Sequence, residues 1–145
     1  MTPEEFAKYD DELNRILKGF HISLFNLINM AEQIDPKNYH IEWVKKQISI
    51  ALKIDKENII KRMKDKMWDY RNEIMACDIA FFKNNQFSKH IKNDDNRPFM
   101  YSFLNMIKKK SESLSKEEIN SIWEETKNIL LYCIEYKRLV KDYDE

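Results

Sequence analysis

Residues 55–82 read DKENIIKRMKDKMWDYRNEIMACDIAFF, and the spacing within this stretch decides the fold class. Ile60, Met63, Met67, Tyr70, Ile74, Cys77 and Phe81 follow one another at steps of 3, 4, 3, 4, 3 and 4. Those steps keep seven apolar side chains on one side of a helix with 3.6 residues per turn. Trp68, Met75, Ile79 and Phe82 form a narrower stripe beside it, and charged residues take most of what is left. A helix with two apolar stripes is covered from two directions. The stretch therefore predicts one long, two-sided helix at the middle of a helical bundle, opened by Asp55 as its cap.

The flanking sequence extends the same reading. Thr2, Pro3 and Glu5 carry the pattern of an N-cap, a first helical position and a capping-box partner. A helix follows with Phe6, Tyr9, Leu13, Ile16, Leu17, Phe20, Leu24, Leu27, Ile28 and Ala31 on one side, until Asp35-Pro36 stops it. Gly19 lies inside that helix and marks a kink or a close helix crossing. A second helix over Tyr39–Lys53 has Ile41, Val44, Ile48, Ala51 and Leu52 inward, with Trp43 and Ile50 off the stripe and facing elsewhere. Residues 83–97 break the pattern and read as one long polar connection. Pro98 opens a fourth helix with Phe99, Met100, Phe103, Leu104 and Ile107 inward, ending at Lys108-Lys109-Lys110. Ser115 and Glu118 then form a capping box, with Leu114 and Ile119 in the two positions of a hydrophobic staple. The last helix follows, with an apolar face from Ile119 to Val140. The expectation is one all-α domain, a bundle of about five helices spanning residues 1–145.

Composition agrees. The chain has 145 residues, one glycine and three prolines, which suits helices joined by short connections better than a turn-rich β-architecture. Lys and Arg number 25 against 25 acids, so no whole-molecule field steers it to nucleic acid or an anionic membrane. The charge is uneven all the same: residues 45–71 hold nine Lys or Arg against four acids. Cys77 and Cys133 both fall on apolar helix stripes, which predicts reduced, buried thiols. The first 15 residues are acidic and lack the apolar segment of a signal peptide, and no run approaches a membrane span of about 20 apolar residues. The expected setting is soluble, in cytoplasm or nucleus, with no membrane partner.

No stretch carries a catalytic or cofactor signature. A phosphate-cradling loop needs closely spaced glycines, and Gly19 stands alone. His21, His40 and His90 lie far apart, and neither cysteine has a His or Cys beside it, so no metal site is expected. Asp94-Asp95 reads as a solvated turn. No small-molecule substrate is indicated and the chain is read as non-enzymatic. A stripe of Met63, Met67 and Met75 is read as gap-filling core.

Two patterns resemble a group of small uncharacterised helical proteins from large double-stranded DNA viruses of eukaryotes. One is Asp78-Ile79-Ala80-Phe81-Phe82; the other is Ile122-Trp123 followed by Ile129-Leu130-Leu131. Glu124-Glu125-Thr126 departs from the group's pattern, as does the lack of a Pro-Gly loop before the last helix. The resemblance implies a viral origin, hence a host-cell or virion-associated setting, and an all-helical fold; it implies no activity.

Two functions follow as expectations. The first is an interaction or structural protein that presents a surface to another protein or to a second copy of itself, with the off-stripe aromatics Trp43, Trp68, Tyr132 and Tyr143 as anchors. The alternative is nucleic-acid binding through Lys61, Arg62, Lys64, Lys66 and Arg71, of which Lys61, Lys64 and Arg71 share one flank with Trp68, so that cations and an aromatic are interleaved there.

Overall fold

The computed structural model describes residues 2–78, 80, 81 and 113–144. Every regular element among them is helical: α1 (Pro3–Ile34), α2 (Tyr39–Ile54), α3 (Asn58–Asp69), α4 (Arg71–Met75) and α5 (Lys116–Asp144). The protein is an all-α helical bundle. The expected fourth helix from Pro98 and the polar connection over 83–97 lie outside the described residues.

Helix ends form where the residue types dictate. Thr2 Oγ1 accepts from the Glu5 N–H at 3.1 Å while the Glu5 carboxylate accepts from the Thr2 N–H, which satisfies two orphan donors of α1 reciprocally. Asn38 Oδ1 accepts from the His40 N–H at the start of α2. At α5, Ser115 Oγ accepts from Glu118 N–H at 3.1 Å and Glu118 Oε1 from Ser115 N–H at 3.0 Å, the predicted box. Leu114 packs on the core just before it.

The core lies between the two long helices. From α1 it takes Leu13, Ile16, Leu17, Phe20, Leu24, Leu27, Ile28 and Ala31, and from α5 Ile122, Ile129, Leu130, Cys133 and Tyr136. Ile41, Val44 and Ile48 of α2 and Ile59 and Ile60 of α3 close it, with Met63 and Met67 packed against it. Helix α3 packs against α5 and α2, but the expected second stripe is not covered: Trp68 is 38% and Met75 52% exposed, so the stretch is buried along its first stripe and the middle of the bundle is the α1–α5 pair. A second cluster of Tyr70, Ile74 and Leu130 receives Met67, Phe81, Trp123 and Ile134.

Helix 55–82 is not continuous, and two breaks correct that expectation. At Tyr70 the backbone turns to φ −99°, ψ 15°, outside the helical region, and separates α3 from α4. The Arg71 side chain donates to the Trp68 carbonyl at 2.9 Å, supplying a partner to the carbonyl group beside the break. Tyr70 and Ile74, on either side of the break, are both buried in the second cluster. The second break is at Cys77, with φ 54°. Asp78 N–H bonds the Glu73 carbonyl at 2.9 Å and Cys77 N–H the Ile74 carbonyl at 3.1 Å, the paired bonds of a Schellman C-cap. Cys77 is thus half-buried at a helix end and not on an apolar helix stripe; Cys133 is fully buried, as expected. Asp78 belongs to the following turn, its carboxylate accepting from Phe81 N–H. Asp55 is likewise displaced from its expected role. It ends α2 and accepts from Glu57 N–H in the turn before α3, whose own N-cap is Glu57.

Candidate functional site

Two surfaces gather the expected contact residues. The first is the outer side of α2. Tyr39, Trp43, Ile50 and Ile54 are 80%, 50%, 52% and 81% exposed, on a helix whose other side buries Ile41, Val44 and Ile48. On a wheel of about 100° per residue these four exposed side chains fall within about 60°, opposite the buried three. They form a ridge about 22 Å long, at 1.5 Å rise per residue. Exposed apolar residues scattered singly are ordinary, but four in line on one short helix form a ridge, interrupted at its centre by the turn that carries Lys46 and Gln47. The His40 ring lies 5.5 Å from that of Trp43 at 30°, which steadies the indole. Lys45 anchors the helix from the side through Glu32 at 3.0 Å and Asn29 at 3.0 Å on α1, leaving the ridge clear. Lys46 and Glu42 pair at 3.8 Å along one edge of it.

The second surface is a groove of about 370 Å³ between α3 and α5, lined by Lys64, Trp68, Ile134, Lys137, Arg138 and Lys141 among others. Asp65 bridges Lys64 at 3.3 Å and Lys137 at 3.1 Å, and the Lys137 hydrogen bond holds its carboxyl below the usual range. Trp68 is 38% exposed, with the Arg71 guanidinium 4.1 Å and the Lys137 ammonium 5.4 Å from its ring. Two cations already lie over this indole, a favourable arrangement in itself that a stacking base would have to disturb.

Of the expected basic cluster, Lys64 lines the groove with Trp68. Lys61 shares their side of α3, with Arg71 following beyond the break, whereas Arg62 and Lys66 fall on the far side of the helix at about 100° per residue. In place of those two, α5 brings Lys137, Arg138 and Lys141 to the groove. Nothing in the local sequence connects residues about 70 positions apart. Only the α3–α5 packing joins them.

Of the four expected anchors, Trp43 and Trp68 present surface. Tyr132 is half-buried and packs into the α1–α5 crossing against Gly19. Tyr143 belongs to the last turn of α5, and its side chain lies outside the described residues. Tyr39 and Ile54 were missed as contact residues, although the steps of 4, 7 and 4 from Tyr39 through Trp43 and Ile50 to Ile54 carry the signal.

Buried polar groups are structural in character. Tyr136 is 2% exposed and donates to Glu57 Oε1 at 2.9 Å, tying α5 to the start of α3. His21 Nε2 lies 3.2 Å from the Lys56 carbonyl and so carries its proton there, and burial lowers its pKa. Among the described residues no group of His, Cys, Asp and Glu is placed to hold a metal ion, and no helix is long and apolar enough to cross a membrane. Comparison with family models, with curated proteins and with solved structures finds no match.

Proposed function

We propose that this chain is a non-enzymatic protein-contact protein that acts through the outer face of α2. The observation that carries this reading is the ridge of Tyr39, Trp43, Ile50 and Ile54, four large apolar side chains at least half exposed on one side of a 16-residue helix. Each exposes apolar area that the fold leaves in water. Covering such a face is favourable by about 25 cal/mol per Å² removed from solvent. Large aromatics beside aliphatic side chains are also the usual makings of an interface centre. The test is retention of protein from a lysate of the native cell on the immobilised chain. Trp43→Ser with Ile50→Ser is compared with Leu131→Ser, which changes an exposed leucine on α5. Loss of retention with the α2 pair and not with Leu131→Ser is expected; equal retention by all three contradicts the reading.

The α3–α5 groove supports a second reading, binding of a polyanion such as nucleic acid, because Lys137, Arg138 and Lys141 add to Lys64 there. Asp65 neutralises part of that field, and Trp68 is already held by Arg71 and Lys137, which favours the first reading. Oligonucleotide binding that weakens with salt by about 0.9 per phosphate contact on duplex DNA, and is abolished by Lys64→Glu with Arg138→Glu, would reverse the preference.

A further inference from the structure

The spacing of the α2 ridge has a symmetry of its own. Tyr39 and Ile54 are equidistant from the midpoint between residues 46 and 47, and so are Trp43 and Ile50. A two-fold interface requires a self-complementary patch, in which the contact of i with j is repeated as j with i. When two copies of α2 lie antiparallel about that midpoint, Tyr39 meets Ile54 of the second copy and Trp43 meets Ile50 of the second copy, and each contact occurs twice. Every aromatic is then set against an aliphatic side chain, and none against its own kind.

We propose that the partner on the α2 face is a second copy of this chain, docked antiparallel through α2. The proposal rests on the protein-contact reading above and names its occupant. One pairing of opposite charges fits the antiparallel register. Glu42 and Lys53 both lie on the same edge of the ridge, about 20° apart on the wheel. Two-fold antiparallel pairing brings like edges together and leaves Glu42 about 3 Å along the axis from the level of Lys53 of the second copy. At the centre of that edge the two Lys46 ammonium groups come close, each accompanied by its own Glu42. With two Lys46 and two Lys53 against two Glu42 the edge is net positive, and the repulsion keeps the association modest. The opposite edge brings the two Gln47 amides together, which can hydrogen-bond to each other. The face is one 16-residue helix, so the interface falls in the size class of transient complexes, below about 1,200 Å² in total. A transient dimer follows, and not an obligate one.

The test is sedimentation velocity on the full chain from about 1 µM to 1 mM, with cross-linking in parallel. The weight-average mass should rise from 17.7 kDa toward twice that value. Trp43→Ser with Ile50→Ser should weaken association at least about tenfold with an unchanged circular dichroism spectrum, since both residues are exposed. Lys46→Gln should tighten it about two- to fivefold, and so should added salt, because like charges are removed or screened. Orientation is read with a short bismaleimide in a Cys77→Gly background. Gln47→Cys should link to its own counterpart, whereas two copies of Tyr39→Cys, separated by about 22 Å along the pair, should not. A chain that remains monomeric to 1 mM overturns the second-copy proposal; if its α2 face still retains a lysate protein, the protein-contact reading stands alone. A dimer in which Tyr39→Cys links and Gln47→Cys does not overturns the antiparallel register. A dimer indifferent to the Trp43 and Ile50 changes forms through another face and overturns the second-copy proposal; the protein-contact reading then stands or falls on lysate retention by the same variants.

Discussion

The ring of Tyr132 on α5 occupies the space into which a side chain at Gly19 on α1 would grow. Gly19 costs α1 about 1 kcal/mol relative to alanine, and what the fold gains is a close crossing of its two longest helices. Gly19→Ala should therefore destabilise the protein: overpacking at about 1–3 kcal/mol exceeds the helix-propensity gain of about 1 kcal/mol. In a Tyr132→Ala background the same substitution should stabilise by roughly 0.5–1 kcal/mol. Urea denaturation of the four chains closes the cycle, and a Gly19→Ala effect of one sign in both backgrounds would mean that the ring is not what the glycine accommodates.

At the other end of α5, Ser115→Ala should lose about 0.5–2 kcal/mol, because the Glu118 N–H gives up its partner and the reciprocal bond loses its geometry. Thermal melts in parallel with Lys116→Ala, which makes no such bond in the cap, read the effect against a neighbouring change. Equal midpoints for the two would place the start of α5 elsewhere.

Cys77 holds a left-handed backbone at φ 54°, where L-residues are strained by about 1–2 kcal/mol and glycine is at ease. Cys77→Gly should stabilise by roughly 0.5–1 kcal/mol after glycine's greater unfolded-state freedom is deducted. Cys77→Val should destabilise by more than about 1 kcal/mol, since branching at Cβ aggravates the clash. Matching midpoints for the glycine and valine variants would contradict the assigned conformation.

That position also shows how far the sequence could be read. The caps at Thr2 and Ser115, the faces of α1 from Leu13 onward, of α2 and of α5, and the special role of Gly19 follow from residue type and spacing, because each depends on neighbours within a turn or two; Phe6, expected on the inward face of α1, is 60% exposed. The interruptions at Tyr70 and Cys77 do not. The 3–4 spacing runs through both without a glycine or proline, so nothing local in the sequence marks either break. Long-range packing hid the contribution of Lys137, Arg138 and Lys141 to the groove and moved Tyr132 from a proposed anchor into a helix crossing. The α2 ridge was half visible. Trp43 and Ile50 stood off the stripe, while Tyr39 and Ile54, at the first and last positions of the helix, extend the same line.

Alkaline stability should follow the buried thiol and phenol. Burial raises the Cys133 thiol from its ordinary 9.0 to about 12. A group raised on folding contributes stability that is complete below its unfolded pKa and is lost as pH climbs toward the folded one. The loss therefore begins near pH 9 and runs at about 1.4 kcal/mol per pH unit. Tyr136, raised by burial and by its bond to Glu57, adds a second loss above its ordinary 10.0. Urea midpoints measured every half unit from pH 8 to 11 should be flat at first and then fall. Cys133→Ala should remove the part of the decline that starts near 9. A profile level to pH 11 would contradict the burial of both groups.

The most direct measurement of the α2 contact is the fluorescence of Trp43 alone, in a chain carrying Trp68→Phe and Trp123→Phe, followed in front-face geometry as concentration rises from nanomolar to near-millimolar. At half exposure the indole should emit as a wet tryptophan in dilute solution, then shift to the blue and lose iodide quenching as Ile50 of a second copy covers it. Emission that stays red and fully quenchable across the whole range, with the chain folded throughout, would contradict self-contact through the α2 face.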